Sequence, residues 1–184
     1  KISAQDVKEF MRDQYEGAEL DITKGIGAGP FNSKLRCSPL TFYVDSVEYV
    51  HERPVATQQT GFSFVAQMRN WLPDYIGGIL WFGVDDAASS IYVPMYCGIN
   101  SVPECYRAGN GSLVEYSPTS AFWIYNQVAN FAYSKYSFMI QDIKKVPSKW
   151  EQDFNSLVPT IDKVALGMPE ASAKSFLTSF SNYQ

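Results

Sequence analysis

Apolar side chains at Val7, Phe10 and Met11 follow Ser3 and Asp6 at helical spacing, which predicts a helix over about 3–15 that Gly17 can end. From Glu16 to Ser38 the periodicity fails, and Gly25, Gly27, Gly29 and Pro30 punctuate a long irregular connection. Thr41 to Val50 is rich in aromatic and β-branched residues and reads as a strand. Phe62, Phe64, Ala66 and Met68 then alternate with Ser63, Val65, Gln67 and Arg69, giving a strand one apolar and one mixed face. Ile79 to Val84 is apolar on both parities, as expected of a central strand covered on both sides. Pro94 cannot donate to a ladder, so Ile91 to Tyr96 is expected as an edge strand or a bulged one. Between these two strands, 85–90 is polar and small, consistent with a solvated hairpin loop.

After Pro118 the period changes. Phe122, Tyr125, Val128, Ala129, Ala132, Tyr136, Met139, Ile140 and Ile143 mark one face of a long helix, with Ser117 and Pro118 as cap and first turn. Ser148 and Glu151 match a capping box for a second helix running through Phe154, Leu157, Ile161 and Val164 to Gly167, kinked at Pro159. A third starts at Pro169 and carries Ala173, Phe176, Leu177 and Phe180. Strands followed by a run of helices predict an α+β fold, an antiparallel sheet with packed helices. The 184 residues suit one domain, strand-rich and irregular over 1–116 and helical over 117–184.

Composition narrows the function classes. A 46% hydrophobic and 18% charged chain is globular, and its length allows roughly 70% of the unfolded surface to be buried. The formal charge is −4 and the basic residues are scattered, which argues against nucleic acid as a partner. The longest nearly uncharged apolar run, Ile76 to Val84, is far shorter than the roughly 20 residues that span a bilayer, so no membrane span is expected. Cys37, Cys97 and Cys105 are odd in number and lack CxxC spacing, which favours neither a disulfide framework nor a zinc site.

Candidate chemistry is sparse. Gly25 to Pro30 imitates a phosphate loop, but Pro30 stands where the last glycine belongs and no strand precedes it. Cys37 and the sole histidine, His51, sit in no nucleophile signature. Adjacent Asp85 and Asp86 would point to opposite faces of extended backbone, poor geometry for sharing a metal. Asn110-Gly111-Ser112 is a formal glycosylation acceptor that reads better as a turn. Arg69 is of the type that clamps a carboxylate, and Gln59 and Thr60 are uncharged donors suited to orienting a peptide. These three are the candidate substrate-binding residues; no catalytic, metal or cofactor residue is assigned.

Thr57 to Arg69, Gly77 to Asp86 and Ile91 to Tyr96 nevertheless form long ordered motifs. Together with Asp6 to Gly17, Asp21 to Lys24, Gly27 to Phe31 and Arg53-Pro54, they make the chain resemble the dipeptidase A family of N-terminal-nucleophile hydrolases. The resemblance implies a four-layer αββα sandwich and a cysteine nucleophile at the start of the mature chain, whose own α-amino group, with a reference pKa of about 7.7–8.0, serves as base. A thioester would form and water would release the second amino acid, with no cofactor or metal required.

Lys1 stands where that cysteine would be, so the resemblance implies a carboxy-terminal portion of a longer dipeptidase, inactive alone. The dipeptide partner would then bind together with the missing part. Sheet edges left open would invite homo-oligomers. The alternatives are a non-catalytic scaffold or binding module, and part of another amide hydrolase of the N-terminal-nucleophile group.

Overall fold

In the computed structural model, which describes residues 1–34, 41–50, 53–57 and 59–183, the chain is α+β with antiparallel sheets and packed helices. Helix α1 (Ala4–Met11) is capped by Ser3, whose hydroxyl accepts from the Asp6 N–H while the Asp6 carboxylate accepts from the Ser3 N–H. The helix stops at Met11, capped at Arg12, short of the expected 15, where Tyr15 takes a positive φ. A 3-10 turn at Ile26–Ala28 interrupts the glycine-punctuated connection.

Residues 41–50 form a hairpin instead of one strand. Strands β1 (Thr41–Val44) and β2 (Val47–Val50) pair antiparallel across Asp45 and Ser46, both at positive φ. β-propensity identified the residues, but the two-residue turn lay hidden in a run with no glycine.

The main sheet has the order β3-β4-β5, with β3 Phe62–Met68, β4 Gly78–Val84 and β5 Val93–Tyr96, all antiparallel. A one-turn helix, α2 (Asp74–Gly77), leads into β4. β4 is central and Pro94 sits on an edge strand, as the sequence predicts. Gly98 lies against the Tyr75 backbone, where a Cβ would stand 2.4 Å from the Tyr75 carbonyl oxygen, so only glycine allows this approach.

The helical part holds α3 (Ala121–Ser134), α4 (Tyr136–Ile143), α5 (Lys145–Leu166) and α6 (Glu170–Asn182). The expected long helix is broken at Lys135, which leaves helical dihedrals (φ −145°, ψ 55°), and it begins at Ser120 and not at Ser117. The expected capping box at Ser148 is not used. α5 starts earlier, Ser148 bonds back to the Lys144 carbonyl, and Glu151 turns inward; Pro159 remains inside the helix.

Helices α1, α5 and α6 pack on one face of the sheet, and the core runs between them through Val65, Ile79, Trp81, Tyr92, Tyr96, Phe154, Val158, Ala173 and Leu177. On β3 the mixed face is the buried one. Ser63, Val65 and Arg69 turn to the helices, whereas Phe62, Phe64 and Met68 are 62%, 51% and 76% exposed. Across the sheet on that outer face, Tyr106 packs edge-on against Phe82 and α3 lies against β4, but β3 is uncovered among the described residues.

Candidate functional site

The start of β3 and the end of β4 meet at one end of the sheet. Asp85 N–H donates to the Gly61 carbonyl at 2.8 Å, so the loop after β4 is tied to the turn before β3. That turn contains Gln59 and Thr60. The Thr60 N–H and hydroxyl both donate to the Thr57 carbonyl, at 3.0 and 2.7 Å, and Thr57 donates to the exposed Gln59 side chain. Thr60 lines a hollow of about 510 Å³ along β3, with Phe62, Ser63, Phe64, Met11, Val55 and Ala87. The volume falls in the roughly 300–1,000 Å³ range of small-molecule sites.

Behind this hollow the 85–90 loop is buried instead of solvated. Asp85 is 7% exposed and Asp86 3%. Asp85 adopts φ 64°, a conformation unusual for a non-glycine residue, and accepts from Asn126 of α3 at 3.0 Å. Asp86 accepts from the Ser89 hydroxyl at 2.8 Å and from the Ala88 N–H at 3.4 Å. Burial raises the Asp86 carboxyl above the usual aspartate range, opposed by the Ser89 bond. Burial likewise pushes the Tyr133 hydroxyl up, reinforced by the charges of Asp86 and Asp85. Short polar residues suggested a wet loop; α3 covering them reverses that expectation.

Arg69 lies at the far end of β3, 6% exposed. Its guanidinium pairs with Asp162 of α5 and donates to the Ile76 carbonyl at 2.6 Å and the Gly77 carbonyl at 3.3 Å, while Tyr96 donates to the same aspartate at 2.8 Å. Thr60 thus lines the hollow, Gln59 stands exposed next to it in the same turn, and Arg69 is placed at the other end of the strand, inside the core.

A second buried ionic group joins α1 to α5. Arg12 pairs with Glu151, donates to the Ser90 carbonyl at 3.1 Å and lies over the Tyr92 ring; Glu151 also accepts from the Tyr92 N–H at 2.8 Å. Beside it the fully buried Lys8 ammonium stands 3.3 Å from the Trp81 ring centroid. Burial brings Lys8 down to about 8, against the attraction of Glu151. Sequence reading missed these groups. Lys8 sits one position after Val7 on the core stripe Ala4, Val7, Met11, and Glu151 and Asp162 share the inward period of Pro147, Phe154, Val158 and Ala165. A charge on an apolar stripe was the available signal.

Nucleophile and metal candidates are few. Cys97 is exposed, and the Cys105 thiol is pushed up by burial, away from thiolate character. Cys37 and His51 lie outside the described residues. Asn110 spends its side chain within the chain: its amide donates to the Glu104 carbonyl and its oxygen accepts from Ser117 and Thr119, with Gly111 at φ 80°, which is a turn. Among the described residues no group of three His, Cys, Asp or Glu side chains could hold a metal ion, and no helix is long and apolar enough to cross a membrane.

A family model of peptidase family C69 matches residues 1–149. The probable dipeptidase B of Lactococcus lactis subsp. lactis (strain IL1403) is 26% identical over 140 residues, which cover 76% of this chain and 25% of that protein. The probable dipeptidase of Latilactobacillus sakei is 25% identical over 182 residues, covering 97% of this chain and 33% of that protein. The chain therefore spans a quarter to a third of the length of these curated relatives.

Proposed function

The chain belongs to the dipeptidase A family, peptidase family C69, and from that premise we propose that it is part of a cysteine-type dipeptidase whose nucleophile lies outside these residues. The observation that supports this reading is the half-covered sheet: helices α1, α5 and α6 cover one face, and on the other, beyond α3 and Tyr106 over β4, β3 presents Phe62, Phe64 and Met68 exposed among the described residues. A second sheet laid on that face would complete a four-layer αββα sandwich, since apolar faces of sheets pack about 10 Å apart over a shared core.

In such an enzyme a cysteine at the start of the mature chain attacks the dipeptide carbonyl, and its α-amino group takes the thiol proton. The tetrahedral intermediate collapses to a thioester as the protonated second amino acid leaves. Water then hydrolyses the thioester and regenerates the thiol. The hollow beside Thr60 is where this chain would hold the peptide, with Gln59 and Thr60 orienting it. Arg69, buried against Asp162 at the far end of β3, stands away from a peptide held there. The chain on its own is expected to be inactive.

Dipeptide hydrolysis by the full-length protein is the test, before and after alkylation with iodoacetamide. Thiol-dependent release of amino acids is the expected result. Turnover indifferent to alkylation, or absent with every dipeptide while simple acyl amides are cleaved, overturns the reading.

A further inference from the structure

β3 is an edge strand, paired with β4 and, among the described residues, with nothing on its other side. The register decides which backbone groups this leaves open. Asp85 N–H donates to the Gly61 carbonyl and Arg69 N–H to the Gly77 carbonyl, and both pairs belong to the β3–β4 ladder continued by one residue at each end. Hydrogen-bonded pairs alternate along an antiparallel ladder, so residues 61, 63, 65, 67 and 69 turn their backbone groups to β4. Phe62, Phe64, Ala66 and Met68 consequently turn theirs outward. The hollow of about 510 Å³ lies along the first half of this edge and includes Phe62 and Phe64 but neither Ala66 nor Met68. Met11 and Ala87 border it, with Val55 and Thr60 also in its wall.

We propose that the outward backbone of Phe62 and Phe64 is a rail on which a short peptide docks as one added turnless strand. The occupant is a dipeptide with a free α-ammonium, a choice that rests on the dipeptidase reading and on the extent of the hollow. One ligand residue facing Phe64 exchanges both bonds of a hydrogen-bonded pair: the Phe64 N–H donates to the ligand carbonyl, and the ligand ammonium donates to the Phe64 carbonyl. The ammonium makes that second bond charge-assisted. The Phe62 N–H adds a donor for the terminal carboxylate. Recognition through main chain explains how a site could accept many dipeptides, because the contacts ignore side-chain identity.

The test is a titration of the ¹⁵N-labelled chain with leucyl-leucine. Saturable shifts of the Phe62 and Phe64 amides are expected. Phe64→Pro removes an outward donor that the β3–β4 ladder does not use, and should weaken binding about tenfold or more, the loss of one or two hydrogen bonds. Phe64→Ala keeps the donor and should stay within about threefold of the parent chain. Ala66→Pro, beyond the hollow, should bind like the parent. No saturable shift, shifts centred elsewhere, or Phe64→Pro binding as well as Phe64→Ala overturns the rail. The hydrolysis assay on the full-length protein separates the two ideas: cleavage with unmoved edge amides sinks the rail alone, and edge binding without cleavage sinks the dipeptidase reading alone.

Discussion

The guanidinium of Arg69, at the end of β3, is buried against the carboxylate of Asp162 on α5, 93 residues later. This pair fastens the long helix to the sheet, and the Tyr96 hydroxyl completes the aspartate's hydrogen bonds from the opposite edge strand. Burial, with the adjacent Asp162 charge, drives the Tyr96 hydroxyl far up, so it stays a donor at every working pH.

Removing one partner of such a pair leaves the other charge buried and alone. Asp162→Ala should therefore cost about 3–5 kcal/mol, measured as a lower urea midpoint at unchanged slope. The double replacement Arg69→Met with Asp162→Leu should recover most of that loss. A double variant as unstable as Asp162→Ala would show that the pair contributes more than charge balance.

Lys8 sets a pH dependence. Its folded pKa of about 8 lies below its ordinary 10.5 because burial disfavours the ammonium. Between those values the unfolded chain binds more protons than the native one, so stability rises as pH increases from about 8 towards 10.5. The full effect is on the order of 3 kcal/mol. Tyr125, raised to about 12 by burial, acts in the opposite sense above pH 10, because there the unfolded chain loses a proton that the native one keeps. Denaturation midpoints of the parent and of Lys8→Met from pH 7 to 9.5 isolate the lysine: the parent should gain on the variant with rising pH.

The backbone register of β3 predicts an alternating tolerance to proline. Val65→Pro removes a donor aimed at β4 and should destabilise by about 3 kcal/mol or more. Ala66→Pro removes an outward donor and should cost well under half of that. Equal losses at 65 and 66 in thermal melts would contradict the assigned register.

The bare face of β3 predicts context dependence. Phe62→Ser and Met68→Ser should change the stability of this chain by no more than about 0.5 kcal/mol, because neither side chain is buried here. Its solubility should rise, since a contiguous apolar patch is removed. If a second sheet from outside these residues covers the face, as proposed, the same changes in a protein carrying both sheets should cost about 2 kcal/mol or more each. Equal, small losses in both settings would refute that cover.

Much of the fold was legible in the pattern of side chains. Alternation at 62–69 located β3, unbroken apolarity located the central β4, and Pro94 marked an edge. The inward face of β3 was not legible in the same way. Phe62, Phe64 and Met68 look like the core face, yet α1, α5 and α6 lie over Ser63, Val65 and Arg69. The polar members of that face are tolerated because each has a partner: Tyr92 for Ser63 at 2.7 Å, and Asp162 for Arg69. Alternation reports two faces and does not say which one the helices will choose.

The sequence by itself determined the family, the antiparallel core and the helical second half, because ordered motifs and local periodicity are properties of neighbouring residues. Only the tertiary structure decided which charges are internal, why Asp85 and Asp86 are buried, and that Thr60 lines a hollow from which Arg69 is remote. Those facts depend on contacts between residues as far apart as Arg12 and Glu151, or Asp85 and Asn126, whose proximity no local pattern encodes.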